Sequence, residues 1–82
     1  MPENTTDLAK PASLAKRSVR IAGHRTSVSL EEAFWTELKR LADARGVSLN
    51  QLIAEVDTGR SGNLSSALRL YVLEAVKRIT RF

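Results

Sequence analysis

The hydrophobic pattern changes from a period of two to a helical period just after Leu30, and this change restricts the fold more than any other feature. Before it, Val28 and Leu30 alternate with polar residues, as in a strand that buries one face. After it, Phe34, Leu38 and Leu41 recur at the spacing of an amphipathic helix. The pattern predicts a mainly α chain with a short N-terminal β-strand.

The alternation also extends upstream, because Val19 and Ile21 flank the polar Arg20. Gly23 and His24 separate this stretch from the strand that follows it. A glycine-containing pair between two alternating runs is typical of a tight β-hairpin, but it also fits a kink in one long strand. The sequence leaves both arrangements open.

Three helices are expected after the strand. The first covers residues 31–45, with Ser29 as its N-cap, Glu32 as the capping-box partner and Gly46 as the closing residue. The second begins at the capping box of Ser48-Leu49-Asn50-Gln51. Its apolar face consists of Leu49, Leu52, Ile53 and Val56.

A polar stretch with two glycines, residues 58–62, ends the second helix. Asn63 is then expected to cap a third helix over 63–79. This helix has apolar residues on more than one side, which predicts that part of its apolar surface is covered by a partner. One apolar stripe contains Leu64, Leu68, Tyr71, Val72, Ala75 and Ile79, and the surplus residues outside it are Leu70, Leu73 and Val76.

The chain has 82 residues, no cysteine and one histidine. Residues 1–15 are polar and contain two prolines, so we expect a flexible arm followed by one domain over 16–82. A domain of this size buries only about 60% of its unfolded surface and usually needs a disulfide, a metal or a second subunit. The composition favours the second subunit and predicts no metal site and no cofactor.

The formal net charge is +4, and basic groups outnumber acidic ones in residues 1–30 and 59–82. Such segments suit a polyanion, nucleic acid above all, although a solvated basic surface would have the same composition. No apolar run has the length of a signal peptide or a membrane span, so we expect a cytoplasmic protein without a membrane partner. No serine or threonine belongs to a recognisable nucleophile–base pair, so we expect no catalytic residues and no enzyme activity.

The order of strand, helix, Gly46-Val47-Ser48 turn and a helix beginning Leu49-Asn50-Gln51-Leu52-Ile53 resembles the ribbon–helix–helix superfamily of the Arc and methionine repressors. The resemblance covers about residues 25–57. The wider run from Arg17 to Leu73, with AGHRTSVSLEEAFW and NLSSALRLYVL, is similar to a bacterial subfamily with an added C-terminal helix.

This resemblance implies an intertwined homodimer in which one strand from each subunit forms an antiparallel β-ribbon that lies in the major groove of DNA. The outward residues of the strand would read bases, and the N-terminus of the second helix would hold a phosphate. The implied base-reading residues are Arg25, Ser27 and Ser29; the phosphate ligands are Val47, Ser48, Arg20 and Arg17; the dimer core contains Val28, Leu30, Phe34, Leu38, Leu52 and Ile53.

The expected function is that of a sequence-specific transcriptional regulator that binds double-stranded DNA as a homodimer or a pair of dimers. The alternative is a dimeric adaptor or antitoxin-like module whose third helix binds a protein partner. The surplus apolar residues Leu70, Leu73 and Val76 motivate this alternative.

Overall fold

The computed structural model of the chain describes residues 13–60 and 62–80. Over these residues a two-stranded antiparallel hairpin is followed by three helices, so the fold is mainly α, as the sequence predicted. The elements are β1 (Leu14–Ile21), β2 (His24–Glu31), α1 (Glu32–Arg45), α2 (Leu49–Gly59) and α3 (Leu64–Thr80). Strand β1 begins inside the predicted N-terminal arm, and residues 1–12 of that arm lie outside the described residues.

Residues 14–31 form a β-hairpin and not one long kinked strand, the two arrangements that the sequence allowed. Its two-residue turn is Ala22-Gly23, and φ is 53° and 82° at these positions. Two consecutive positive φ angles are typical of a type I′ turn, whose twist matches that of the flanking strands. The turn lies one residue earlier than expected, since His24 is the first residue of β2 and pairs with Ile21.

One face of the hairpin packs against the helices. Val28 and Leu30 are 3% and 0% exposed, which confirms the predicted inward side of β2, and Val19 of β1 is buried beside them. Thr26 has the same parity but is exposed, because it lies close to the turn. The rest of the core comes from the three helices: Trp35, Leu38, Ala42, Leu52, Ile53, Leu68 and Val72.

Five of the predicted dimer-core residues are therefore already buried within one chain, and Phe34 is partly buried. Burial of each large aliphatic side chain contributes about 1.5–3 kcal/mol. The single chain thus has a core of its own, and the participation of these residues in a dimer stays a prediction.

The helix ends follow the sequence signals with one exception. Gly46 closes α1 with φ 74°, the hydroxyl of Ser48 accepts a hydrogen bond from Gln51 N at 3.0 Å, and the side chain of Asn63 accepts one from Ser66 N at 2.8 Å. The cap predicted at Ser29 is wrong. Strand β2 continues through Glu31, which occupies the N-cap position of α1 without a side-chain cap bond.

Candidate nucleic-acid interface

The face of the hairpin that points away from the helices carries only small polar and basic residues along most of its length. Directly opposed residues of an antiparallel pair project to the same side, so the strand register defines this face. We call the part of this side with the pairs Lys16↔Ser29, Ser18↔Ser27 and Arg20↔Arg25 the outer face; a fourth pair, Leu14↔Glu31, lies on the same side at the end next to α1. Five of the six residues are exposed and Ser29 is half-buried.

The outer face brings together the residues predicted to read bases, Arg25, Ser27 and Ser29. It also places Arg20 directly opposite Arg25, so two arginine side chains project from opposed positions of the same face. Among the described residues neither side chain has an acidic or hydrogen-bonding partner. Like charges in opposed positions of a sheet are destabilising, and a bound anion would remove that cost.

Arg17, a predicted phosphate ligand, lies on the opposite face of the hairpin, because it pairs with Val28. Its guanidinium is 3.5 Å from a carboxylate oxygen of Glu32 and 5.2 Å from the ring centroid of Trp35. These contacts hold the side chain against α1. Arg17 is therefore separated from the other basic residues of the hairpin.

The acidic residues at the start of α1 are both paired with arginine. Glu31 accepts two hydrogen bonds from Arg69 of α3, at 2.9 and 3.2 Å, and Glu32 pairs with Arg17. The hydrogen bonds from Arg69 hold the pKa of Glu31 below its ordinary value. The negative charges next to the outer face are thus partly neutralised within the chain.

The N-terminus of α2 is attached to the edge of β1 by Asn50. The side-chain oxygen of Asn50 accepts a hydrogen bond from Arg20 N at 2.8 Å, and its amide nitrogen donates to Arg20 O at 2.6 Å. The first amides of a helix have no acceptor within it, which leaves those of Leu49 and Asn50 available to an anion. The amide of Val47 is already engaged, because it donates to Ala42 O at the end of α1.

A different surface lies on α3. Leu70 and Leu73 are 62% and 51% exposed, whereas Val76 packs partly against the core. Ile79, which the sequence placed in the packed stripe, is 70% exposed. Beside Leu70, a groove of about 550 Å³ runs between the end of α2 and the start of α3.

The site residues predicted from the sequence leave out three residues of this surface: Lys16 and Ser18 on the outer face, and Asn50 at its edge. The positions of Lys16 and Ser18 follow from the strand register once the two-residue turn is known. A sequence prediction that preferred the hairpin to one long strand would therefore have included both. No local signal indicates Asn50, because its partner lies 30 residues away.

No helix in residues 13–60 or 62–80 is long and apolar enough to cross a membrane. In the same ranges, no three histidine, aspartate or glutamate side chains converge as ligands for a metal ion.

A family model described as the ribbon-helix-helix domain matches residues 14–76, which include both strands, α1, α2 and most of α3. Among solved structures, the chain is similar to an uncharacterized protein from Bordetella pertussis Tohama I, with 30% sequence identity and a TM-score of 0.74. The match covers 90% of this chain and 66% of that protein. No curated protein matches the sequence. Since the family model spans the hairpin, α1, α2 and most of α3, the chain belongs to the ribbon–helix–helix family.

Proposed function

We propose that this chain is a sequence-specific DNA-binding transcriptional regulator that acts as a homodimer and inserts a β-ribbon into the major groove. Membership of the ribbon–helix–helix family supports DNA binding in general. The observation that carries the proposal for this chain is the unpaired couple Arg20 and Arg25 on a face of small polar residues. The repulsion between two opposed arginines destabilises the free hairpin, whereas the same two charges are attracted to a polyanion.

Base recognition is assigned to β2. Arg25 carries paired donors that match the two major-groove acceptors of guanine, and the hydroxyls of Ser27 and Ser29 can donate or accept. The N-terminus of α2 would hold a backbone phosphate through its free amides, with Ser48 capping the helix at the same point. Asn50 ties this helix end to Arg20, so both contacts would be set by one rigid unit.

We propose that the two subunits pair along the open edge of β2. In a hairpin with a two-residue turn the Ile21↔His24 pair is hydrogen-bonded, and the pairs then alternate. The backbone groups of Arg25 and Ser27 therefore point away from β1, and no described residue occupies them. A second copy of β2 can pair there in antiparallel orientation, up to Ser29, whose carbonyl accepts a hydrogen bond from the hydroxyl of Ser65.

Selection of bound duplexes from a random library by the purified protein tests the proposal. We expect one enriched, roughly palindromic motif, and binding whose log K falls linearly with log salt concentration. A non-enriched library and the absence of salt-dependent binding to any duplex would contradict it.

The alternative function, a protein-interaction adaptor or antitoxin-like module, is supported by the exposed Leu70 and Leu73 beside the groove on α3. The double variant Leu70→Gln/Leu73→Gln separates the two functions. A DNA-binding regulator keeps its affinity for the selected duplex in this variant. An adaptor shows almost no DNA binding in the wild type and loses its protein partner in the variant.

A further inference from the structure

The register of the hairpin places three residues of β1 on the same face as the proposed base-reading residues of β2. Lys16 lies opposite Ser29, Ser18 opposite Ser27, and Arg20 opposite Arg25. We propose that β1 is a second DNA-contacting strand, in which Lys16, Ser18 and Arg20 bind the phosphates that border the major groove. This inference rests on the proposed function and assigns a role to a strand that base recognition by β2 alone leaves unused.

The spacing of strands explains why β1 would meet phosphates and not bases. Neighbouring strands lie about 4.8 Å apart. If β2 pairs with a second β2, the two β1 strands are three spacings apart, about 14 Å. The major groove is about 12 Å wide. The central strands therefore fit into the groove, and the β1 strands lie over its two edges, where the phosphates are.

The chemistry of β1 fits that position. Lys16 and Arg20 are exposed, and neither side chain forms an ion pair or hydrogen bond with another described residue. They are four residues apart, about 13 Å along a strand, so they would reach different phosphates. The hydroxyl of Ser18 lies between them and can donate to a phosphate oxygen. Arg17, which faces the helices, is paired with Glu32 instead.

Asn50 fixes the edge of β1 at Arg20 through two hydrogen bonds. The same helix end carries the free amides of α2. The phosphate ligands proposed on β1 and on α2 are thus adjacent parts of one surface, and together they would follow a single DNA strand.

The test compares two double variants on the duplex selected by the wild-type protein. Lys16→Gln/Arg20→Gln removes two charges from β1, and Lys39→Gln/Arg78→Gln removes two exposed charges from α1 and α3 as the matched control. Each phosphate contact contributes about 0.9 to the slope of log K against log salt. The proposed dimer carries two β1 strands, so the β1 variant lacks four phosphate contacts, and we expect it to lose about 3.6 from that slope with its base preference unchanged. The control should keep the wild-type slope.

A second pair of variants tests the same face by repulsion. Ser18→Glu places a carboxylate on the outer face, whereas Thr36→Glu places one on the exposed side of α1. We expect Ser18→Glu to weaken DNA binding by roughly tenfold or more, since like charges brought together at an interface are strongly unfavourable. Thr36→Glu should bind like the wild type, and circular dichroism should show both variants folded.

The outcomes separate this inference from the proposed function. If the wild type selects a motif while both β1 variants keep its slope and affinity, β1 does not contact DNA and the inference is overturned, with the regulator function intact. If the wild type shows no salt-dependent binding, the proposed function and the inference fail together.

Discussion

The side chain of Asn50 pairs with the backbone of Arg20 through two hydrogen bonds, of 2.8 and 2.6 Å, in the way that a neighbouring strand would. These bonds join the second residue of α2 to the next-to-last residue of β1. In a small domain this contact fixes the orientation of the hairpin relative to a helix N-terminus. The relative position of two proposed DNA contacts therefore depends on one amide group.

Replacement of this amide is expected to have a small effect on stability and a larger one on DNA binding. Asn50→Ala removes both bonds, and a hydrogen bond contributes about 0.5–1.5 kcal/mol net, with exposed bonds at the low end because water replaces them. We expect a loss of about 1 kcal/mol in urea unfolding. Gln51→Ala, at the adjacent exposed position, is the control, and an equal effect on DNA affinity in both variants would contradict a positioning role for Asn50.

The opposed arginines predict a variant that loses DNA affinity without losing stability. Arg25→Ala removes the repulsion from Arg20, so the free energy of unfolding should stay constant or rise by about 0.2–1 kcal/mol. Its specific DNA binding should weaken by about 1–3 kcal/mol for each subunit of the proposed dimer, the discrimination of one bidentate base contact. Calorimetric titration of the selected duplex measures the second effect. Arg78→Ala removes the same charge from α3, and unchanged affinity in Arg25→Ala relative to this control would exclude Arg25 as a base reader.

The turn offers a stabilising substitution away from the interface. Ala22 has φ 53°, and the left-handed region costs a residue with a Cβ roughly 1–2 kcal/mol. Asparagine tolerates this region, and Asn-Gly is the preferred pair of a type I′ turn. We expect Ala22→Asn to raise the free energy of unfolding by about 0.5–1 kcal/mol. Thermal unfolding tests this, and Gly23→Ala should shift the midpoint in the opposite direction.

Proline substitutions on β2 distinguish the open edge from the paired edge. The N–H of Ser27 points to the open edge, so Ser27→Pro should leave the hairpin formed while it blocks pairing with a second chain. The N–H of Thr26 points to β1, so Thr26→Pro should disrupt the hairpin itself. Analytical ultracentrifugation combined with circular dichroism would detect a folded monomer for the first variant. A folded dimer of Ser27→Pro would place the dimer interface elsewhere.

The pair Glu31–Arg69 predicts a dependence of stability on pH. Because Arg69 lowers the pKa of Glu31 in the folded state, the unfolded state takes up a proton first as the pH falls. The contribution of this pair is therefore complete above the ordinary glutamate pKa and is lost as the pH falls through the lower, folded value. Thermal midpoints of the wild type and Glu31→Gln should differ at neutral pH and converge in acid. A constant difference across that range would argue against the ion pair.

The parts of the fold that sequence predicts well are those governed by local chemistry. Gly46, Ser48 and Asn63 end or begin helices through contacts within a few residues, and all three behave as expected. The inward side of β2 follows from the alternation of Val28 and Leu30, since a shift by one residue would expose both.

The parts that sequence missed depend on distant contacts. The cap expected at Ser29 fails because β2 is extended to Glu31, whose side chain binds an arginine 38 residues away. The hairpin was ambiguous because Ala22 occupies a turn position where asparagine or glycine would have been a clear signal. The spacing of Ile79 predicts a position in the packed stripe, but the end of α3 extends past the core that would cover it.

The two edges of the hairpin are not equivalent. Asn50 closes β1 at Arg20, and Lys16 adds a charge further along the same strand, whereas β2 is open at Arg25 and Ser27. If two β2 strands pair, that pairing occupies the open edge of β2 in both copies. In such a dimer no β2 edge is left to pair with a third chain.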